Sequence, residues 1–236
     1  MTLALASTVG PSAYWYLTRA SGTVALILLT LSVVLGVLDV EQYSTPRMPR
    51  FVVDGVHRTA SLLAVVFLLV HILTSALDSF AAIPLIDAIV PFAGTYRPLW
   101  LGLGAASFDL VLAIMITSVA RRRLGYRAWR LTHWLAYASW PIALLHALGT
   151  GSDVKATWML AICGACLVVV LVAVWMRVLS GWPDGIRPRS AALALAAIFA
   201  GGTALWLPSG PLGAHWAQRA GTPSSLLRPS AGRRPG

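Results

Sequence analysis

Four of the five histidines sit where a metal-binding side chain is costly to keep. His57 and His71 lie on one long apolar stretch, His133 and His146 on another. An imidazole inside hydrocarbon needs a partner, so each has either a hydrogen bond to a neighbouring helix or a ligand. The spacing bears on that choice. His57 and His71 are 14 residues apart, about 21 Å along a helix and about 40° around it. His133 and His146 are 13 apart, about 19.5 Å. With both helices running the same way, His57 levels with His133 and His71 with His146. Each level then offers two neutral imidazoles across a gap, an arrangement that ligates a haem iron from both sides. Thirteen residues of ideal helix leave His133 and His146 well off one face. Pro141 lies between them and is expected to kink that helix and alter its phase.

The elements that must hold these residues follow from composition. The chain has 236 residues, 58% hydrophobic and 11% charged, and a mean hydropathy of +0.76. A soluble domain carries about 25% charged residues, so a soluble enzyme, a disordered chain and a fibre are excluded. An all-α, polytopic membrane bundle of about six spanning helices remains, since a span takes about 20 apolar residues. Reading between charges places the spans at Ala20–Leu38, Thr59–Leu77, Pro98–Ala120, Leu131–Ser152, Ala156–Met176 and Ser190–Leu207. Residues 1–207 are expected to form the membrane domain. Residues 208–236, rich in Pro, Gly, Ser and Arg, are expected to be a disordered tail. Met1–Gly10 has no basic start, so no cleaved leader is expected.

Lys+Arg 18 against Asp+Glu 8 gives a net charge of +10, read here as topology rather than as a nucleic-acid footprint. Arg47, Arg50 and Arg58, Arg121 to Arg123 with Arg127 and Arg130, and Arg177, Arg187 and Arg189 are 11 basic residues in three connections. The positive-inside rule makes that side cytoplasmic, in a multi-pass protein of the cell membrane with both termini outside. Arg19, Arg97 and Lys155 lie on the other side, as would the tail's Arg219, Arg228, Arg233 and Arg234, which count against this orientation. Trp15, Trp100, Trp158 and Trp206 mark the outer boundary, and Trp129, Trp134, Trp175 and Trp182 the inner one.

With its two pairs, His-x13-His and then His-x12-His two spans later, the chain resembles the ferric reductase-like transmembrane domain. That family includes the membrane halves of NADPH oxidases and yeast ferric reductases, and the haem-binding membrane subunit of the bacterial methionine sulfoxide reductase system. The stretches FVVDGVHRTASLLAVVFLLVHI and RAWRLTHWLAYASWPIALLHALGTGSD are similar to its small actinobacterial members, and the resemblance runs from about residue 14 to 177. It implies two b-type haems, His57–His133 holding the inner and His71–His146 the outer. An iron with two imidazoles has no open position and suits electron transfer. The implied activity is passage of electrons from a cytoplasmic donor to an extracytoplasmic acceptor, either ferric iron or a partner redox protein. No Gly-rich nucleotide fingerprint follows Leu207. Flavin is therefore expected only through a partner or as a free donor, with a quinol as the other choice. The chain reads as an oxidoreductase subunit.

Haem propionates call for cations at each level. Arg58 and Arg130 are the inner candidates, Arg97 and Lys155 the outer ones. Asp109 lies midway along the third span, where it either orients a ligand histidine or relays protons, or is a protonated partner of a neighbouring hydroxyl. Cys163 and Cys166 form C-x-x-C within a span, and the small-residue packing reading outweighs a redox one. Gly102 and Gly104 permit close approach of a helix or a flat cofactor, and His215 is expected to be solvated. The connection from Asp78 to Arg97 is the expected acceptor-docking loop. Two other classes remain: a transporter or assembly subunit whose histidines only bridge helices, and a haem carrier. Haem content and redox reversibility separate them.

Overall fold

The computed structural model describes residues 12–41, 49–81, 83–151, 153–180 and 186–227, with 186–188 as backbone only. Residues 1–10, Arg47, Ser152, Trp182, Arg228, Arg233, Arg234 and the side chain of Arg187 lie outside the described residues. The fold is all-helical, as the composition predicts. Helix α1 spans Ala13–Val40, α2 Arg50–Leu77, α3 Pro98–Val119, α4 Arg121–Leu124, α5 Tyr126–His133 and α6 Ala136–Thr150. They are followed by α7 at Thr157–Leu179, α8 at Ile186–Ser209, α9 at Trp216–Arg219 and α10 at Ser224–Leu227. Among the described residues five helices, α1, α2, α3, α7 and α8, are long and apolar enough to cross a membrane. The chain is a multi-pass membrane protein.

Local chemistry sets the helix ends. The Ser12 hydroxyl accepts the Trp15 N–H at 3.0 Å to cap α1, and it donates to Asp78 at 2.8 Å, tying the start of α1 to the end of α2. Pro49 precedes α2, and Pro98 opens α3 at the position that needs no N–H donor. The two long helices α1 and α2 pack along each other more extensively than any other pair. Their register is antiparallel: Gly22 meets His71, Ser32 hydrogen-bonds Ser61 at 2.6 Å, and Gly36 meets His57. Helix α6 lies on α3, and α1 also touches α6 and α7. Leu26, Trp140, Leu144, Leu148, Cys163, Cys166 and Val170 form the core between them, so both cysteines serve packing. Trp140 donates its indole N–H to Thr30 at 2.8 Å within that core.

Two expectations need correction. The fourth span is not one helix kinked at Pro141. It breaks at Trp134–Leu135, and α6 runs unbroken through Pro141. The junction is wound more tightly: the N–H groups of Leu135, Tyr137 and Ala138 bond carbonyls three residues back. Pro141 lacks an N–H for the Tyr137 carbonyl, which frees the preceding turn to tighten. A 3₁₀ residue turns about 120° rather than 100°, so three of them advance the phase by about 60°, which takes His146 from about 140° off the His133 face to about 80°. The second correction concerns the tail. Residues 208–227 are folded, because Trp216 of α9 packs on Trp100 and Trp206, with ring centroids 5.2 and 5.6 Å away.

Candidate functional site

The bundle has a basic end, carrying Arg121 to Arg130 and Arg177, and a far end, carrying Asp78 and Asp153. At the far end His71 of α2 faces His146 of α6, with ring centroids 6.2 Å apart and planes at 87°. At the basic end His57 of α2 faces His133, the last residue of α5, at 6.3 Å and 70°. Both pairs stand edge-to-face. Two metal–nitrogen bonds of about 2 Å, plus about 1.1 Å from each ring nitrogen to its ring centre, total about 6.2 Å. Both pairs fit one metal between two imidazoles.

The remaining ring nitrogens are spent in a way that leaves the facing ones free. His71 Nδ1 is 2.8 Å from the Thr18 carbonyl, His57 Nδ1 3.0 Å from the Ser32 carbonyl, and His146 Nδ1 2.8 Å from the Trp100 carbonyl. A carbonyl only accepts, so each Nδ1 carries the proton and each Nε2 keeps its lone pair. This bond to a carbonyl fixes the tautomer and orientation that a metal ligand needs. His133 differs: its Nδ1 is buried without a partner among the described residues, and its ring lies tilted against Trp129, centroids 4.9 Å apart.

Three glycines make room for the rings. A Cβ on Gly22 would lie 2.8 Å from His71, on Gly36 3.4 Å from His57, and on Gly104 2.4 Å from His146. Gly102 instead admits Phe92. At the far end this clearance opens a cavity of about 350 Å³, lined by both histidines, Gly22, Gly104, Leu68, Phe108 and Arg19, within the usual range for a bound cofactor. Among the described residues no three His, Cys, Asp or Glu side chains converge on one point. Each pair offers two ring nitrogens, the number an iron already held by a macrocycle would need.

A family model described as ferric reductase like transmembrane component matches residues 21–144, just over half of the 236-residue chain. The chain belongs to the ferric reductase-like transmembrane family. No curated protein and no solved structure matches it. The family match covers three of the four histidines and ends two residues before His146.

The other residues singled out in this ferric reductase-like chain are scattered. Arg58, Arg130 and Lys155 are exposed. Arg97 is buried at 7% exposure, but its guanidinium is spent on the carbonyls of Gly149 and Thr150 at 3.1 and 3.0 Å and on Thr222 at 2.9 Å. It caps the end of the helix carrying His146. Asp109 is half-buried on α3 and makes no hydrogen bond or ion pair with a described residue. Sequence reasoning missed Arg19, which lines the far cavity beside its ion-pair partner Asp153 and over the Trp15 ring at 3.7 Å. It also missed Arg121, 4.3 Å over the Trp129 ring that lies tilted against His133. One signal was available: Gly22 and Gly36 repeat the 14-residue spacing of His57 and His71.

Proposed function

We propose that this ferric reductase-like protein carries electrons across the membrane through two b-type haems. The single observation behind the reading is the pair of matched imidazole gaps, 6.3 and 6.2 Å, at two depths of one bundle. Along α2 the two levels are about 21 Å apart, so one long crossing is divided into shorter steps. A haem held by two imidazoles supplies reversible one-electron chemistry with no open metal position. His57 and His133 hold the basic-end haem, His71 and His146 the far-end one. The carbonyls of Ser32, Thr18 and Trp100 keep three of these rings in the ligating tautomer. Arg19 is the far-end cation best positioned to meet a propionate, supported by its place in the cavity wall. At the basic end Arg121 takes that role beside Trp129. Asp109, without a partner among the described residues, is proposed to relay protons when the haems change charge.

The basic end faces the cytoplasm on the positive-inside rule, which puts the donor there and both termini outside. The acceptor at the far end is ferric iron or a redox protein docking on the loop between Asp78 and Arg97. Phe80, Leu85, Ile86, Ile89 and Phe92 of that loop are exposed. The test is a proteoliposome with ferricyanide trapped inside and a membrane-impermeant reductant added to vesicles whose basic end faces out. Reduction of the trapped ferricyanide, abolished by His71→Ala, is expected. Haem at the far end that stays oxidised while the basic-end haem is reduced would overturn the proposal.

A further inference from the structure

The four paired histidines are not held alike. His57, His71 and His146 sit within helices α2 and α6, and each donates Nδ1–H to a carbonyl of a facing helix. His133 lacks both supports. It is the last residue of α5, at the tightened junction with α6, and its Nδ1 is buried with no partner among the described residues. The segment that carries it is also weakly anchored. No residue of α4 or α5 is buried, whereas α6 sinks Trp140, Leu144 and Leu148 into the core. Leu131 and Trp134, on either side of His133, are 77% and 62% exposed. Segments with so few buried contacts open locally at low free-energy cost.

The hydrogen-bond partner of a ligating histidine is worth about 10- to 100-fold in metal affinity, so His133 makes the weakest of the four bonds by about that factor. We propose that the His57–His133 haem exchanges His133 for a small neutral diatomic ligand of ferrous iron, such as carbon monoxide. The inference rests on the proposed function, which assigns a haem to that pair. With His133 bound the iron has no open position, and its release creates one. The space left is that of one imidazole, bordered by the Trp129 ring and next to the exposed Leu131 and Trp134. A small apolar molecule, which dissolves in hydrocarbon, reaches and fills such a space. The exchange balances without redox change: the bond from iron to His133 breaks, a bond from iron to the carbon of carbon monoxide forms, and the imidazole leaves neutral with its proton. Iron held in this way stays ferrous, so the basic-end haem stops passing electrons and the far end is cut off from the donor. The far-end haem is spared, because both of its histidines keep their carbonyl partners.

The test uses the full-length chain purified with haem in detergent, reduced with dithionite and titrated with carbon monoxide in the absence of oxygen. One haem per chain is expected to shift its absorption band, and the second to need a concentration about 10- to 100-fold higher. Gly104→Ala, or His146→Ala if the first fails to accumulate, removes the far-end haem and should leave the first shift intact. Diethyl pyrocarbonate followed by peptide mapping should label His133 with carbon monoxide present and not without it, with His57 protected in both. Two haems that both ignore a solution saturated with carbon monoxide, or that bind it with equal affinity, overturn the proposal. So does a first shift that disappears with the far-end haem, labelling that spares His133, or label that falls on His57. In each of these cases two haems reduced by dithionite leave the electron-transfer reading standing without the gas site, whereas a chain that takes up no haem overturns both.

Discussion

Replacing Gly104 by Ala places a single methyl group against the ring of His146. The new Cβ would lie 2.4 Å from Nδ1 and 2.5 Å from Cε1, about 1.0 Å inside the 3.4 Å at which ordinary contact begins. The ring cannot yield that distance and stay a ligand, because metal–ligand bonds tolerate about ±0.2 Å. It is also pinned on the same side by its 2.8 Å hydrogen bond to the Trp100 carbonyl. Moving it breaks that bond, and losing the hydrogen-bond partner of a ligating histidine costs about 10- to 100-fold in metal affinity. The helix itself does not suffer, since Ala is a better helix former than Gly by about 1 kcal/mol. The expected outcome is one haem per chain instead of two, measured by haem extraction against protein concentration, with the His57–His133 site intact. Gly36→Ala, whose Cβ meets His57 at 3.4 Å, and Gly201→Ala, with nothing within 4 Å, should keep both. Two full haems in Gly104→Ala would refute the claim that this glycine clears the space for a ligating ring.

Further outcomes follow from the same contacts. Arg97→Met strands the Gly149 and Thr150 carbonyls and should cost about 2 kcal/mol, seen as a lower unfolding temperature and loss of far-end haem before basic-end haem. Arg19→Gln should shift the midpoint potential of the far-end haem alone, and equal shifts at both would remove Arg19 from the propionate role. Asp109→Asn should slow turnover while leaving haem content at two, and unchanged turnover and potentials would assign Asp109 to packing. Burial works against the charged Glu41 carboxyl, but Ser180, Arg177 and Arg189 together hold it below the usual carboxylate range. A group lowered on folding stabilises above its unfolded value, near pH 4.3, and loses that contribution as pH falls through the folded one. Thermal stability should therefore drop below about pH 4 by a step that Glu41→Gln lacks. Equal acid slopes in the two proteins would remove that tie between α1 and α7.

The pairing of histidines by depth was readable because helical rise per residue is nearly constant, so 14 and 13 residues fix two levels whatever surrounds them. The phase of His133 against His146 was not readable. It depends on a tightened turn at residues 134–138, and no periodicity in that stretch announces it. Charge counting identified which end is basic but not which cation meets which group. Arg97 illustrates why: its left-handed backbone, φ 42°, at the start of α3 leads into a buried guanidinium bonded to two carbonyls. Composition misled at residues 208–227, where Pro, Gly and Ser suggest disorder. Trp216, tilted against Trp100 and edge-on to Trp206, which stack on each other, supplies the apolar burial that composition alone underrates.

The most direct test of the two-haem account is a reduced-minus-oxidised absorption spectrum with haem-to-protein stoichiometry on the purified chain and its four single His→Ala variants. The account predicts two b-type haems in the parent chain. His71→Ala and His146→Ala should lose the same one, and His57→Ala and His133→Ala the other. A chain without haem, purified from cells able to supply it, or variants that lose haem without regard to these pairs, would contradict it.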